Sequence, residues 1–405
     1  MWLTSFRPFL LQHLRLCGFL RCTDAQWDAT CGQIVPRKTT RFGTLYHKFQ
    51  LVSGFIYAVG IILKISRGKD SVAEKCQGVV FLTILVVTIL ARWYWPREGQ
   101  LNEPCRMLNA CFRFEKFLIT GYGTPVRQPS ILDKVMIAFL RLLAPTAFLV
   151  PFAVIAIQLH NPCALPFIGS WSPYCVNSVW SPPPRLVHCL MLATDWWIWA
   201  HFEYDGALYV FYAFMVSIVC MLDYLEHFEK FVREIRTSSS PVPDLRTLEI
   251  RVTKSLHTYR CVRLINKTLN HATQGQLVPA MIGVAPQLQV FAQFVCIKLY
   301  SKIPLPGFLF FPLLVVDSTI CNLIVESMAA KVNTNSVKLL SDLNRELKGL
   351  PVKSSCRKEL RACTAAKIQF GQNFVDKGTP LVIENFCFNQ TVSLLLLNSR
   401  NQRNK

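Results

Sequence analysis

Residues 385–405 read NFCFNQTVSLLLLNSRNQRNK. The apolar run that contains this stretch, Thr379 to Leu397, is long enough to enter a bilayer, whose core of about 30 Å needs roughly 20 helical residues. The tail that follows carries Arg400, Arg403 and Lys405. Taken alone, such a tail belongs in the cytoplasm, where Lys and Arg accumulate beside membrane spans. Its true side depends on how many apolar stretches precede it, and that number decides the fold.

Composition supports a lipid solvent. Of 405 residues, 52% are hydrophobic and only 17% charged, against about a quarter charged in soluble domains. The net charge of +20 would suit nucleic acid in a soluble chain, but the basic residues avoid the apolar runs and gather in a few connections, so no nucleic-acid partner is expected. Sixteen cysteines are scattered almost singly, many inside apolar runs, as with Cys220, Cys296, Cys321 and Cys387. No CxxC pair, HExxH or His-rich box occurs. Buried thiols are therefore expected, with no metal, no cofactor and no enzyme active site. The apolar start is interrupted by Arg7, His13 and Arg15, so the first span rather than a cleaved signal is expected to direct insertion.

Seven stretches qualify as spans: approximately Phe49–Ile65, Cys76–Trp95, Phe139–Leu159, Gly206–Leu222, Gln276–Tyr300, Leu305–Met328 and Thr379–Leu397. The fourth begins with an aromatic-rich helical extension from about Leu186 that contains Asp195, His201, Glu203 and Asp205. Pro145, Pro151, Pro279 and Pro286 fit kinked helices within a bundle. Counting Lys and Arg by connection gives seven, six, nine and ten on one side and four, one, two and three on the other, 32 against ten. The richer side is cytoplasmic, so seven crossings put the amino terminus inside and the carboxyl terminus outside, outvoting the tail. The reading is an all-α, polytopic membrane protein of the plasma membrane with a cytosolic helical anchor. Its expected parts are a cytosolic segment 1–48, helices one to four over 49–222 with an extracellular loop 160–205, an anchor segment 223–275, helices five and six over 276–328, cytosolic helices over 329–378, helix seven over 379–397 and an extracellular tail 398–405.

Apolar residues recur at helical spacing in the basic connections. Leu222, Leu225, Phe228, Val232 and Ile235 extend the fourth helix, and Leu248, Val252, Leu256, Tyr259 and Val262 form a further stripe. Ser336–Lys348 and Arg357–Phe370 are predicted as two amphipathic helices. Such helices either pack on one another or join subunits beneath the membrane. In the outer third loop, Cys163 and Cys175 are a candidate disulfide, and with Cys189 also present the pairing stays open. The sequons at Asn266 and Asn389 fall in a cytosolic segment and a span, where neither is expected to be modified.

The segment IQFGQNFVDKGTPLVIENFCFNQTVSLLLLN, residues 368–398, resembles the last segment of the insect-type chemoreceptor superfamily of gustatory and odorant receptors. It has the Gly-x-x-Phe approach at Gly371–Phe374, a polar turn through Asp376–Thr379, and a helix with small hydroxyl residues before a leucine run. Where the gustatory branch typically carries Thr-Tyr, five apolar residues and Gln-Phe, residues 390–398 keep the length and the apolar run but lack the Tyr, Gln and Phe. Topology is similar over essentially the whole chain and the motif over about 30 residues, as in a divergent member.

The resemblance implies a ligand-gated cation channel, a homo- or hetero-tetramer whose seventh helices line a central pore. Asn389, Gln390, Thr391, Ser393, Leu394, Leu395 and Asn398 are the pore candidates, with the leucines as a hydrophobic constriction. From the residues alone, interhelical hydrogen bonding without a pore fits equally. The resemblance further implies a pocket for a small organic ligand near the outer helix ends, with Trp196, Trp199, His201 and Tyr204 facing Phe152, Gln158 and Phe310. An interfacial aromatic belt accounts for the same residue types. Asp317, in the sixth span, is a further functional candidate. A seven-helix receptor without a pore and a multi-span transporter are the remaining alternatives.

Overall fold

The computed structural model describes residues 5–38, 40–68, 72–92, 101–122, 130–176, 179–237, 245–301, 303, 308, 310–348 and 354–403. The fold is helical, with three two-stranded hairpins. Helix α1 (Arg7–Leu20) leads into the hairpin β1 (Ala25–Asp28) and β2 (Gln33–Pro36), then α2 (Arg41–Arg67) and α3 (Val72–Arg92). Next come α4 (Glu103–Tyr122), α5 (Ile131–His160), the hairpin β3 (Cys175–Val176) and β4 (Val179–Trp180), and α6 (Arg185–Ala207). A π-helical turn, Leu208–Val216, joins α6 to α7 (Ser217–Thr237), giving an apolar helix of 46 residues from Arg185 to Lys230. Then follow α8 (Leu245–Thr273), α9 (Leu277–Lys298), α10 (Phe310–Ile320), a second π turn at Cys321–Val325, α11 (Glu326–Lys348), α12 (Ser354–Ala362), the hairpin β5 (Gln369–Phe370) and β6 (Asn373–Phe374), and α13 (Thr379–Arg403).

Among the described residues, five helices are long and apolar enough to cross a membrane: α2, α6–α7, α9, α10–α11 and α13. The two other apolar stretches lie in α3 and α5, of which Val150–His160 is a shorter apolar helix. Local chemistry sets several ends. The Thr40 hydroxyl accepts from Gly43 N at 3.3 Å to start α2, whose last turn carries Lys64 and Arg67 beside the carbonyl end. A capping box starts α5: Asp133 N donates to Ser130 Oγ at 3.0 Å and Ser130 N to Asp133 Oδ2 at 2.9 Å.

The largest apolar core joins α1, the β1–β2 hairpin, α4, α7, α8 and α11 through residues such as Leu10, Leu108, Phe112, Tyr224, Phe228, Tyr259 and Leu339. A second cluster joins α2, α3, α5 and α6 through Tyr57, Ile61, Phe81, Val154, Trp199 and Phe202. A third joins α3, α9 and α10 through Val80, Phe294, Val295 and Phe311, with Leu394 and Leu395 of α13 packed on it.

At the crossing of α2 and α6, a side chain on Gly54 would overlap the ring of Phe202, which is fully buried and has nowhere to retreat. Gly54→Ala is therefore expected to overpack this crossing and cost about 1–3 kcal/mol, measured as a lower thermal midpoint of the purified protein.

The structure shortens one predicted helix and adds detail to other segments. The connection between the second and third apolar stretches carries helix α4, with Leu108, Cys111, Phe112 and Leu118 buried against the main core. The predicted helix Arg357–Phe370 occupies only Ser354–Ala362 and then gives way to an extended strap and the β5–β6 hairpin. The strap's backbone is taken up by side chains instead of by a helical ladder. Asn266 Nδ2 and Asn270 Nδ2 donate to Lys367 O at 3.1 and 2.8 Å. Lys367 N donates to Asn266 Oδ1 at 3.1 Å and Gln369 N to Asn270 Oδ1 at 3.0 Å. Tyr259 Oη donates to Thr364 O at 3.0 Å, and Ala366 N to Ser336 Oγ at 2.8 Å. Gly371, at φ 54°, takes the left-handed conformation that closes the hairpin. The expected boundary at 328/329 falls inside one helix running from Phe311 to Lys348. The final helix continues past Leu397 to Arg403, so the described part of the expected tail is helical. Residues 238–244, 404 and 405, and the side chains of Phe310 and Asn398, lie outside the described residues.

Candidate functional site

Helix α13 is the least covered of the long apolar helices: 22% of its apolar window is buried, against 89% in α6–α7. Its covered stripe is Ile383, Cys387 and Thr391, one residue per turn. Cys387 Sγ donates to Pro286 O in α9, and Thr391 Oγ1 donates to Gln293 Oε1 at 2.9 Å. The opposite face exposes a polar row at the same spacing, Asn385, Asn389 and Ser393, with Gln390 beside it. Asn389 Nδ2 donates to Asn385 Oδ1 at 3.3 Å, and Ser393 Oγ donates to Asn389 O at 2.8 Å. Leu396 and Leu397, 64% and 60% exposed, continue that uncovered side. Leu394 and Leu395 turn the other way, against the cluster of Val80, Phe294 and Phe311.

Beneath α13 a polar chain crosses the apolar interior. Gln289 Nε2 in α9 donates to Glu384 Oε2 of α13 at 2.9 Å, and Asn322 Nδ2, in the π turn before α11, donates to Gln289 Oε1 at 2.7 Å. Gln289 and Asn322 are each 1% exposed. One amide thus ties α13 to both neighbouring helices, in surroundings where an unpaired polar group costs several kcal/mol.

The aromatic residues of α6 form a wall shared with α2, α3 and α5. Trp199 lies edge-on to Phe81 and Tyr57, at centroid distances of 5.4 and 6.5 Å. Trp196 stands 6.2 Å from Phe152, and His201 meets Trp197 edge-on at 4.5 Å. Asp195, fully buried, anchors the wall: it accepts from Tyr57 Oη at 2.6 Å and from Ile168 N at 3.2 Å, with the Gln158 side chain also bonded to it. Tyr57→Phe removes one hydrogen bond to this buried carboxyl group. The expected loss is about 2 kcal/mol, read as a fall in the thermal midpoint.

The structure therefore brings together Trp196, Trp199, His201, Phe152 and Gln158, all in or beside the α2–α3–α5–α6 cluster. Tyr204 lies elsewhere, against α1: its carbonyl receives His13 Nε2 at 2.7 Å, and its ring packs with Cys17 and Cys22. Burial pushes the His13 imidazole down to about 4, so it donates to Tyr204 as a neutral ring. Phe311 belongs to the α3–α9–α10 cluster rather than to the Trp199 wall. Between α5 and α6, Cys163 and Cys175 are joined by a disulfide with a Cα–Cα distance of 5.7 Å, and Cys189 in α6 is a free, exposed thiol. Three contributors had only weak sequence signals. Asp195 read as a polar interruption, while Gln289 and Asn322 are isolated amides in apolar runs whose meeting with Glu384 requires the packing of three helices.

These features define a class: a helical membrane-protein fold with one peripheral, polar-faced helix packed on a larger helical bundle. Among solved structures, the chain is similar to the insect olfactory receptor OR5 from Machilis hrabei, solved in complex with eugenol. The match covers 98% of this chain and 100% of that one, with a TM-score of 0.55 and 12% identity. That likeness carries the fold. No family model and no curated protein matches the sequence.

Proposed function

We propose that this chain is a divergent insect-type chemoreceptor: a subunit of a ligand-gated cation channel opened by a small organic molecule at the plasma membrane. The observation that carries the proposal is the exposed row Asn385, Asn389 and Ser393 on a membrane-length helix. Polar groups in that setting need water or a partner chain. A tetramer with α13 around its axis supplies both. Asn389 and Ser393 then line a wet pore, Leu396 and Leu397 narrow it, and Thr391, Leu394 and Leu395 hold the helix to its own subunit.

The distribution of 32 basic residues against ten favours seven crossings, the amino terminus in the cytosol and the tail outside. Helices α4, α8, α11 and α12 then form the cytosolic anchor. The Trp199 wall, apolar with a few polar fixers, suits a small organic ligand, and the solved neighbour holds eugenol. Gating is a population shift: a ligand that packs better on the open arrangement of α2, α3, α5 and α6 moves the equilibrium towards it.

Whole-cell recording tests the proposal. Ligand-evoked cation currents that persist with G-protein signalling blocked are the predicted result, and responses abolished by that block contradict it.

A further inference from the structure

Helix α1 is amphipathic, and its outer side ends on an unusual residue. Leu10, Leu14 and Cys17 are buried in the core, while Gln12, Arg15 and Phe19 lie exposed at helical spacing on the other side. Phe19, 83% exposed, is the least covered large apolar side chain among the described residues. Positive charge gathers around it. Arg15 stands one turn before it and Arg21 two residues after it, both exposed. Arg37 returns from the β1–β2 hairpin: its backbone N donates to Asp24 O at 2.7 Å and its Nη1 to Gly18 O at 2.9 Å. The guanidinium therefore lies on the last turn of α1, where a side chain at Gly18 would collide with it. Among the described residues that is its one side-chain hydrogen bond, out of five N–H donors, and none of the three arginines forms an ion pair.

This corner is fastened to a membrane-length helix. Gln50 of α2, fully buried, donates Nε2 to Leu20 O at 3.2 Å, which holds the end of α1 about 13 Å beyond Arg41 along the α2 axis. The uncovered side of α2 is already apolar below that level, at Phe42, Leu45 and Phe49. An exposed ring at the depth where apolar chains begin, flanked by arginines, matches a phospholipid: the ring enters the acyl boundary and the guanidinium groups take phosphate oxygens. Residues 1–48 carry seven Lys and Arg against two acids, Asp24 and Asp28, and such a cluster directly before a span favours anionic headgroups. An acidic soluble protein would pair the arginines and leave Phe19 and the α2 stripe uncovered.

We propose that Arg15, Phe19, Arg21 and Arg37, at the corner of α1 and α2, bind the headgroup of an anionic phospholipid. The proposed topology enters only in assigning the inner leaflet, and the test needs neither current nor sidedness. Full-length protein in a neutral detergent is titrated with dioctanoyl phosphatidylserine, dioctanoyl phosphatidylcholine and inorganic phosphate at matched ionic strength. Retained lipid is counted by native mass spectrometry, and the thermal midpoint is followed. The expected result is saturable binding of phosphatidylserine, about tenfold tighter than phosphatidylcholine, with no effect of phosphate alone. A basic residue beside an anionic headgroup is worth about fivefold in affinity. Arg15→Gln and Arg21→Gln are thus each expected to weaken phosphatidylserine by about that factor, and the double variant by about twentyfold. Arg361→Gln, on exposed α12 positions, is the charge control and is expected to change nothing. Should the double variant fail to fold, Phe19→Ser, which keeps every charge, is expected to weaken both lipids alike. Equal binding of the two lipids by the wild-type protein overturns the proposal. So does unchanged phosphatidylserine affinity in the arginine variants, equal weakening by Arg361→Gln, or inorganic phosphate binding as tightly as the lipid.

Discussion

Replacing Asn266 and Asn270 together with alanine is expected to cost about 4 kcal/mol and to release the strap that carries the anchor into α13. The estimate comes from the groups stranded. Lys367 N and O and Gln369 N lose their partners on α8, and for part-buried backbone groups the cost of each lies at the low end of about 1–3 kcal/mol. Each single substitution is expected to cost about 1–1.5 kcal/mol, less than half of the pair, because Lys367 O keeps one of its two amide donors until both are gone. The same strap is fixed from α11 through Ser336 and from α8 through Tyr259. Burial raises the Tyr259 phenol above its usual range, so it remains a donor at every physiological pH. Thermal unfolding and size exclusion of the purified protein measure the effect. A double variant as stable as the parent would show that the strap is held by its apolar contacts at Ala366, Ile368 and Val375 together with the Tyr259 and Ser336 bonds. The Asn266 sequon has a structural use: its amide is turned inward, 6% exposed, onto Lys367.

Asn389→Lys is expected to abolish ligand-evoked cation current, by more than about tenfold at equal surface expression, because a tetramer would place a ring of four ammonium groups in the pore and a basic ring repels cations. Asn389→Asp is expected to leave current and raise divalent over monovalent permeability. Asn389 is exposed and, among the described residues, its hydrogen bonds run along its own helix, through Asn385 and Ser393, so neither change breaks a contact with another described helix. Thr391→Val is the contrasting case: it removes the bond to Gln293 and is expected to alter stability more than selectivity. Reversal potentials in bi-ionic conditions give the measurement. Unaltered selectivity in both charge variants would place the conduction path elsewhere.

The class of the protein was legible in the sequence because lipid imposes a simple rule, twenty apolar residues to a span, and each of the seven apolar stretches overlaps a helix among the described residues. The likeness to chemoreceptors could be read from the last segment, and the olfactory receptor match supports the same fold. Helix α4 was not among the expected helices although Leu108, Cys111, Phe112 and Leu118 repeat at helical spacing, because Arg106, Arg113 and Lys116 entered only as charges in the count of a basic connection. The strap was missed for another reason: Thr364 to Gln369 form no ladder of their own, and the asparagines that satisfy them lie about a hundred residues earlier. Spacing also cannot distribute aromatic residues among walls. Tyr204 is five residues from Trp199, yet the helix carries it onto α1 and away from Phe81 and Tyr57.

Sidedness is the most direct test of the account. An epitope fused after Lys405 should be labelled by antibody on intact cells, while one fused before Met1 should be labelled only after permeabilisation. Labelling of the Lys405 epitope only in permeabilised cells would put both ends of α13's chain direction the wrong way round, and with them the cytosolic anchor, the seven crossings and the pore.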